Sequence, residues 1–143
     1  MRIHGLCIVK NEADILGQSL QATRAWCDAI YVLDNGSTDG SWEQVQALAH
    51  DDPAIVPWKQ AAVPFRDGLR AEIFHAFAER APPGDWWVRL DADEFYIDDP
   101  RQFLRRVPAS TGCVWFAVVA IHLEPIHAIN SPASQSFIIG LFS

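Results

Sequence analysis

The sequence predicts an α/β fold in which a mostly parallel sheet carries helices on both faces. Two observations predict it. Short apolar runs alternate with amphipathic stretches in the order strand, helix, strand, helix, strand, helix, strand, helix, strand. Such alternation places successive strands parallel, with the helices as crossovers. Polar clusters follow three of the apolar runs: Lys10-Asn11-Glu12, Asp34-Asn35-Gly36-Ser37-Thr38-Asp39-Gly40 and Asp91-Ala92-Asp93-Glu94. The ligand crevice of such a sheet lies beyond the carboxyl ends of its strands. The three clusters are therefore expected to converge there.

The elements follow in order. Residues 2–9 read as a first strand closing in Cys7-Ile8-Val9. Asn11 is expected to cap a helix, with Asp14 three residues on and Glu12 beside it in the first turn. Ile15, Leu16, Leu20 and Thr23 give that helix an apolar stripe up to about Trp26. Residues 29–33 form the second strand. A helix with Trp42, Val45 and Ala49 on one side follows, and Asp51-Asp52-Pro53 breaks it. Residues 54–56 read as a third strand ending at Pro57, then a loop stiffened by Pro57 and Pro64. Leu69, Ile73, Phe74 and Phe77 mark a helix that Ala81-Pro82-Pro83-Gly84 stops. Residues 86–90 are the fourth strand. Residues 100–107 read as a short helix with Pro100 in its first turn and Asp98 and Asp99 as caps. Residues 112–121 form a long apolar strand.

Composition narrows the function. The 143 residues are the length of one domain, and half are hydrophobic while 20% are charged, as in a globular chain. The net charge of −7 argues against a nucleic-acid partner, which needs a basic face. It suits a protein that holds an anion through a bridging cation. Cys7, Cys27 and Cys113 form no CxxC pair and read as reduced, mostly buried thiols of a cytoplasmic protein. The longest apolar run, 113–121, falls far short of the ~20 residues of a membrane span. Peripheral membrane contact stays open.

The acidic stretch after the fourth strand carries the most chemistry. Residues two apart in an extended segment point to one side, roughly 6.6 Å apart along the chain. Asp91 and Asp93 are thus expected to face one cation or diphosphate together; the plain alternative is an acidic turn. Carboxylates suit a hard ion, Mg2+ or Mn2+, that takes the rest of its shell from water and substrate phosphates. Asp34 either accepts hydrogen bonds from a nucleotide or builds a turn with Ser37. Arg66 and Arg70 either add positive charge at a leaving group or sit solvated on the surface. No GxxxxGK[ST] or GxGxxG loop is present. Ser37, Ser41 and Ser110 lack a GxSxG context. The five histidines show no metal-ligand spacing, and His122-Leu123-Glu124 has no PCxxC partner to make a zinc deaminase site. A phosphotransferase with Asp91 or Asp93 as nucleophile would place its aspartate after the first strand, which is not seen.

The three clusters, with the strands that precede them, resemble family 2 glycosyltransferases of the GT-A fold. The residues that carry the resemblance are Cys7-Ile8-Val9-Lys10-Asn11-Glu12-Ala13-Asp14, Val32-Leu33-Asp34-Asn35-Gly36-Ser37-Thr38-Asp39-Gly40-Ser41 and Asp85-Trp86-Trp87-Val88-Arg89-Leu90-Asp91-Ala92-Asp93-Glu94-Phe95. The resemblance implies a Rossmann-like nucleotide-diphospho-sugar transferase fold. It also implies transfer of a sugar from a nucleotide-activated donor to a glycan, lipid or protein acceptor, usually with inversion. Val9, Lys10, Glu12, Asp34, Arg70 and Asp91 would contact the donor nucleotide. Asp91 and Asp93 would be the DxD pair, touching the ribose and a diphosphate-bound Mn2+ or Mg2+.

The resemblance covers roughly 1–120, so residues 1–121 are expected to be the nucleotide-sugar-binding domain and 122–143 a tail of unclear structure. The family's second half supplies the acceptor contacts and the catalytic base. No residue of this sequence matches that base, and Glu124 has no local support for the role. The expectation is a copy that retains the donor half. The alternative is a catalytically inactive nucleotide-sugar-binding fragment or a non-enzymatic partner subunit. Apolar residues 137–142 are expected to lack an obvious partner.

Overall fold

The computed structural model describes residues 1–108, 110–119 and 136–142. The fold is an α/β sheet. Its strands are β1 (Ile3–Val9), β2 (Ala29–Asp34), β3 (Ile55–Gln60), β4 (Trp86–Asp91), β5 (Cys113–Val119) and β6 (Ser136–Phe142). The helices are α1 (Leu16–Arg24), α2 (Ser41–Asp51), α3 (Gly68–Phe77) and α4 (Pro100–Leu104). The strand order is β3-β2-β1-β4-β6-β5. The first four strands are mutually parallel, as the alternation predicts.

Side-chain alternation explains the two-faced burial. Ile3, Cys7 and Val9 of β1 point to one face, with Leu16 and Leu20 of α1, Val45 of α2 and Leu104 of α4. Leu6 and Ile8 point to the other, with Leu69, Ile73 and Phe77 of α3. Both faces of the sheet are therefore covered, which is what a parallel sheet requires. Each fully buried side chain of α3 contributes about 1.5–3 kcal/mol.

Four local expectations are corrected. Asn11 does not cap α1: its φ is +56°, and its side-chain oxygen accepts instead from Thr38 N–H at 2.8 Å. The chain turns through 12–15 before α1 begins at Leu16, so Glu12 and Asp14 are not in its first turn. The third strand does not end at Pro57. It runs to Gln60, and Trp58 is an extra residue in the pairing: Val32 pairs Pro57 and Leu33 pairs Lys59. An edge strand with a bulge tolerates the missing proline N–H. The cysteines are mostly buried, as expected: Cys7 and Cys27 are buried, with thiols pushed up to about 12 by desolvation, and Cys113 is exposed.

The fourth correction concerns the C-terminal residues. The apolar segment 137–142 finds a partner. As β6 it runs antiparallel between β4 and β5, with Trp87 opposite Phe142 and Val114 opposite Leu141. Residues 120–135, with His122 and Glu124, lie outside the described residues.

The amino-terminal end of the sheet is tied by Asp85. Its carboxylate accepts from Arg2 N at 2.7 Å and Arg2 Nε at 2.9 Å, and lies 3.1 Å from His4 Nε2. The other His4 nitrogen is 3.3 Å from the Tyr31 hydroxyl, and the ring stacks on Trp87 at 4.7 Å. This network sits at the far end of β1 and β4 from the polar clusters.

Candidate functional site

At the carboxyl ends of β1, β2 and β4 the predicted convergence is present. A cleft of about 330 Å³ opens there. Lys10 and Glu12 line it from the loop after β1, Asn35 from the loop after β2, and Asp91, Ala92 and Asp93 from β4 and its following turn. Val63, Pro64 and Phe65, from the loop after β3, line a further stretch.

The loops are held together by reciprocal hydrogen bonds. Ser37 Oγ accepts from Asn11 N–H and Ser41 Oγ from Glu12 N–H, both at 2.9 Å. Asp39 accepts from Ala13 N–H at 3.0 Å and from the Ser41 hydroxyl at 2.6 Å. Those bonds hold the Asp39 carboxyl below its ordinary value, the Ser41 hydroxyl contributing most. The Lys10-Asn11-Glu12 loop is thus fixed by the small polar residues of the β2–α2 loop, which explains their density.

Asp34 is fully buried. Its Oδ1 accepts from Gly36 N–H at 3.0 Å and Ser37 N–H at 2.9 Å, and its Oδ2 is buried without a partner among the described residues. The turn-building reading of Asp34 is therefore correct for one oxygen, and the other remains a buried acceptor. Gly36 makes this turn possible: its φ is +77°, and a Cβ there would lie 2.7 Å from the Ala62 Cβ.

Asp91 and Asp93 do not lie along an extended strand. Glu94 N–H donates to the Asp91 carbonyl at 3.2 Å, so 91–94 is a tight turn. Both carboxylates still line the one cleft. Asp91 is clamped from the α3 side. The Arg70 guanidinium pairs with its Oδ1 and donates to the Leu90 carbonyl at 3.2 Å, while Arg89 Nη2 lies 3.9 Å from its Oδ2. Arg70 is 5% exposed, so its solvated reading is wrong. It lines no part of the cleft, and faces a separate hollow with Leu6, Asp67 and Arg89. Arg66 is the surface residue of the two, pairing with Glu72.

Carboxylates crowd the acidic end of the cleft. Burial pushes the Glu94 carboxyl up to about 7, and Asp91 and Asp93 push it the same way. Burial, then Asp93, Asp14 and Asp39, raise Glu12. Asp93 is exposed.

A family model for glycosyl transferase family 2 matches residues 6–125. The chain belongs to that family. It is also similar to the solved structure of a mannosyltransferase from Pyrobaculum calidifontis in complex with GDP-Man and Mn2+. The TM-score is 0.57 at 18% identity, over 78% of this chain and 34% of that one. The chain thus spans about a third of the length of that mannosyltransferase. The fold is the GT-A fold that the motifs imply.

Within this family 2 chain, the structure brings Lys10, Glu12, Asp91 and Asp93 to one cleft. Val9 is buried, and its carbonyl accepts from Asn35 N–H at 2.8 Å. Asp34 lies beneath the loop and Arg70 behind Asp91. Sequence reasoning places Asn35 in the converging β2 cluster without a role of its own and misses residues 63–65 as cleft lining. The available signal was five successive apolar residues, 61–65, inside a proline-stiffened loop.

Among the described residues no three His, Cys, Asp or Glu side chains form a metal cage. The residues nonetheless fit a hard cation. Asp93 offers a carboxylate to the cleft, with Asp91 and Glu12 lining it beside Asp93. A cation with few protein ligands takes the rest of its shell from water and phosphate oxygens. No helix among the described residues is long and apolar enough to cross a membrane.

Proposed function

We propose that the cleft at the carboxyl ends of β1, β2 and β4 binds a nucleotide-sugar donor and that the protein transfers its sugar to an acceptor with inversion. The observation that carries this reading is the single cleft shared by Lys10, Glu12, Asn35, Asp91 and Asp93 in a family 2 chain. The mannosyltransferase of similar fold was solved with GDP-Man and Mn2+, which supports a donor of the same class here.

Asp93, with Asp91 beside it, would hold Mn2+ or Mg2+ against the diphosphate. Bound there, the cation would polarise the departing diphosphate as a Lewis acid. Arg70 and Arg89 hold the Asp91 carboxylate in place, so its orientation is set before the donor arrives. Lys10, exposed at the rim, adds a positive charge for the phosphates. The fixed loops after β1 and β2 present backbone to the nucleotide.

The test is calorimetric titration of nucleoside diphosphates and nucleotide sugars with and without Mn2+, followed by a donor-turnover assay. Metal-dependent binding in the wild type and its loss in Asp93→Ala are expected. Absence of binding for every nucleotide sinks the proposal. Binding without donor hydrolysis or transfer selects the inactive donor-binding reading instead.

A further inference from the structure

Behind the cleft, two arginines and two aspartates alternate in a closed ring. The Arg70 guanidinium pairs through Nη2 with Asp91 Oδ1, and its Nη1 lies 3.5 Å from Asp67 Oδ1. Arg89 Nη2 lies 3.6 Å from that same Asp67 oxygen and 3.9 Å from Asp91 Oδ2. Asp67 immediately precedes α3 and Arg70 is in its first turn, while Arg89 and Asp91 are two apart on β4.

The members of the ring are not equally engaged. Asp91 Oδ1 is taken by Arg70. Asp91 Oδ2 accepts no hydrogen bond among the described residues, because Arg89 stands outside hydrogen-bond range of it. Arg89 is at nearly equal distance from the two carboxylates, so their pulls on its charge are close to balanced. Asp67 is well placed for that balance and for little else in the fold. Its side chain is 76% exposed and makes no capping hydrogen bond to α3.

We infer that Asp67 is a positioning residue that acts through Arg89: its charge keeps the Arg89 guanidinium from closing on Asp91 Oδ2 and so leaves that oxygen open to the divalent cation. This rests on the donor-site reading above. Without the Asp67 charge, the one carboxylate left within 4.0 Å of Arg89 among the described residues is Asp91. The guanidinium then closes on Oδ2. Asp91 is neutralised on both oxygens, and a cation must displace an arginine to reach it.

Isothermal titration of Mn2+ into protein saturated with GDP or UDP tests this in wild type, Asp67→Asn, Arg89→Met and the double variant. Asp67→Asn is expected to bind Mn2+ about threefold more weakly, the scale of a mostly exposed ion pair. Its urea midpoint should stay at the wild-type value, because asparagine keeps the shape and serves equally well at a helix N-terminus. In the Arg89→Met background the same substitution should leave Mn2+ affinity unchanged, since the group it acts through is gone. Wild-type Mn2+ affinity in Asp67→Asn overturns the inference. So does an equal loss in the Arg89→Met background, which would mean that Asp67 attracts the cation by its own charge. A fall in the urea midpoint of Asp67→Asn that matches the lost affinity overturns it as well, by giving Asp67 a purely structural role. Failure of the donor site itself looks different: the wild type then takes up no Mn2+ with either nucleotide.

Discussion

Arg70 and Asp91 form an ion pair that joins α3 to the end of β4, with the arginine buried and the aspartate a third exposed at the cleft. The pair couples the packing of a helix to the direction of a carboxylate. Among the described residues, removing the arginine leaves Asp91 the longer Arg89 contact. Because Asp91 is partly solvated, Arg70→Met is expected to cost about 2 kcal/mol, less than for a fully buried pair. Urea denaturation measures this. Metal-dependent nucleotide binding should weaken in parallel. Arg70→Lys should recover only part of both, because a lysine cannot reproduce the fork whose Nη2 meets Asp91 and whose Nη1 faces Asp67.

Asn11 sits at positive φ and ties two loops through Thr38. Asn11→Ala combines backbone strain with a lost hydrogen bond, and about 2 kcal/mol of stability should go. Asn11→Gly keeps the hydrogen-bond loss but relieves the strain, so it should be the milder variant. Thermal unfolding of the two decides the ranking; an equal effect would remove strain from the explanation.

Gly36 meets both a conformational and a steric demand. Gly36→Ala places a methyl against Ala62 at a φ that L-residues avoid. A loss of about 2 kcal/mol is expected, with weaker nucleotide binding, because the loop carrying residues 63–65 must shift. A melting temperature within a degree or so of wild type would show that the loop gives way freely.

Asp85 supplies a pH-dependent term. Burial pushes its carboxyl up, but the Arg2 N–H, the His4 ring and the Arg2 side chain together hold it below the ordinary value of 3.8. A depressed folded-state value gives stability that is fully present above the unfolded-state value. That stability is lost as pH falls through the folded-state one. Asp85→Asn should therefore be less stable than wild type by about 1–3 kcal/mol at neutral pH, with the gap closing below about pH 3.8. Denaturant midpoints at pH 7 and pH 3 test the sign. A gap that widens in acid would contradict it.

The order of strands and helices and the parallel core of the sheet were legible because burial on both faces leaves a local pattern. Ile3, Cys7 and Val9 alternate with Leu6 and Ile8, and α3 repeats Leu69, Ile73 and Phe77 at helical spacing. The polar clusters were legible because each directly follows its strand. What tertiary structure decided are the long-range pairings. Asn11 reads locally as a cap, yet Thr38, 27 positions away, claims its side chain. Arg70 reads equally as a donor contact or a surface residue until Asp91, 21 positions on, pairs with it. Residues 137–142 read as an orphan apolar stretch until β4 and β5 take them as the strand between. Val63 and Phe65 read as loop until Asn35 and Gly36 seat that loop on the cleft. Local sequence carries propensity and periodicity. Which distant group satisfies a given donor, charge or apolar face depends on the packing of the whole sheet, and only the folded chain fixes that.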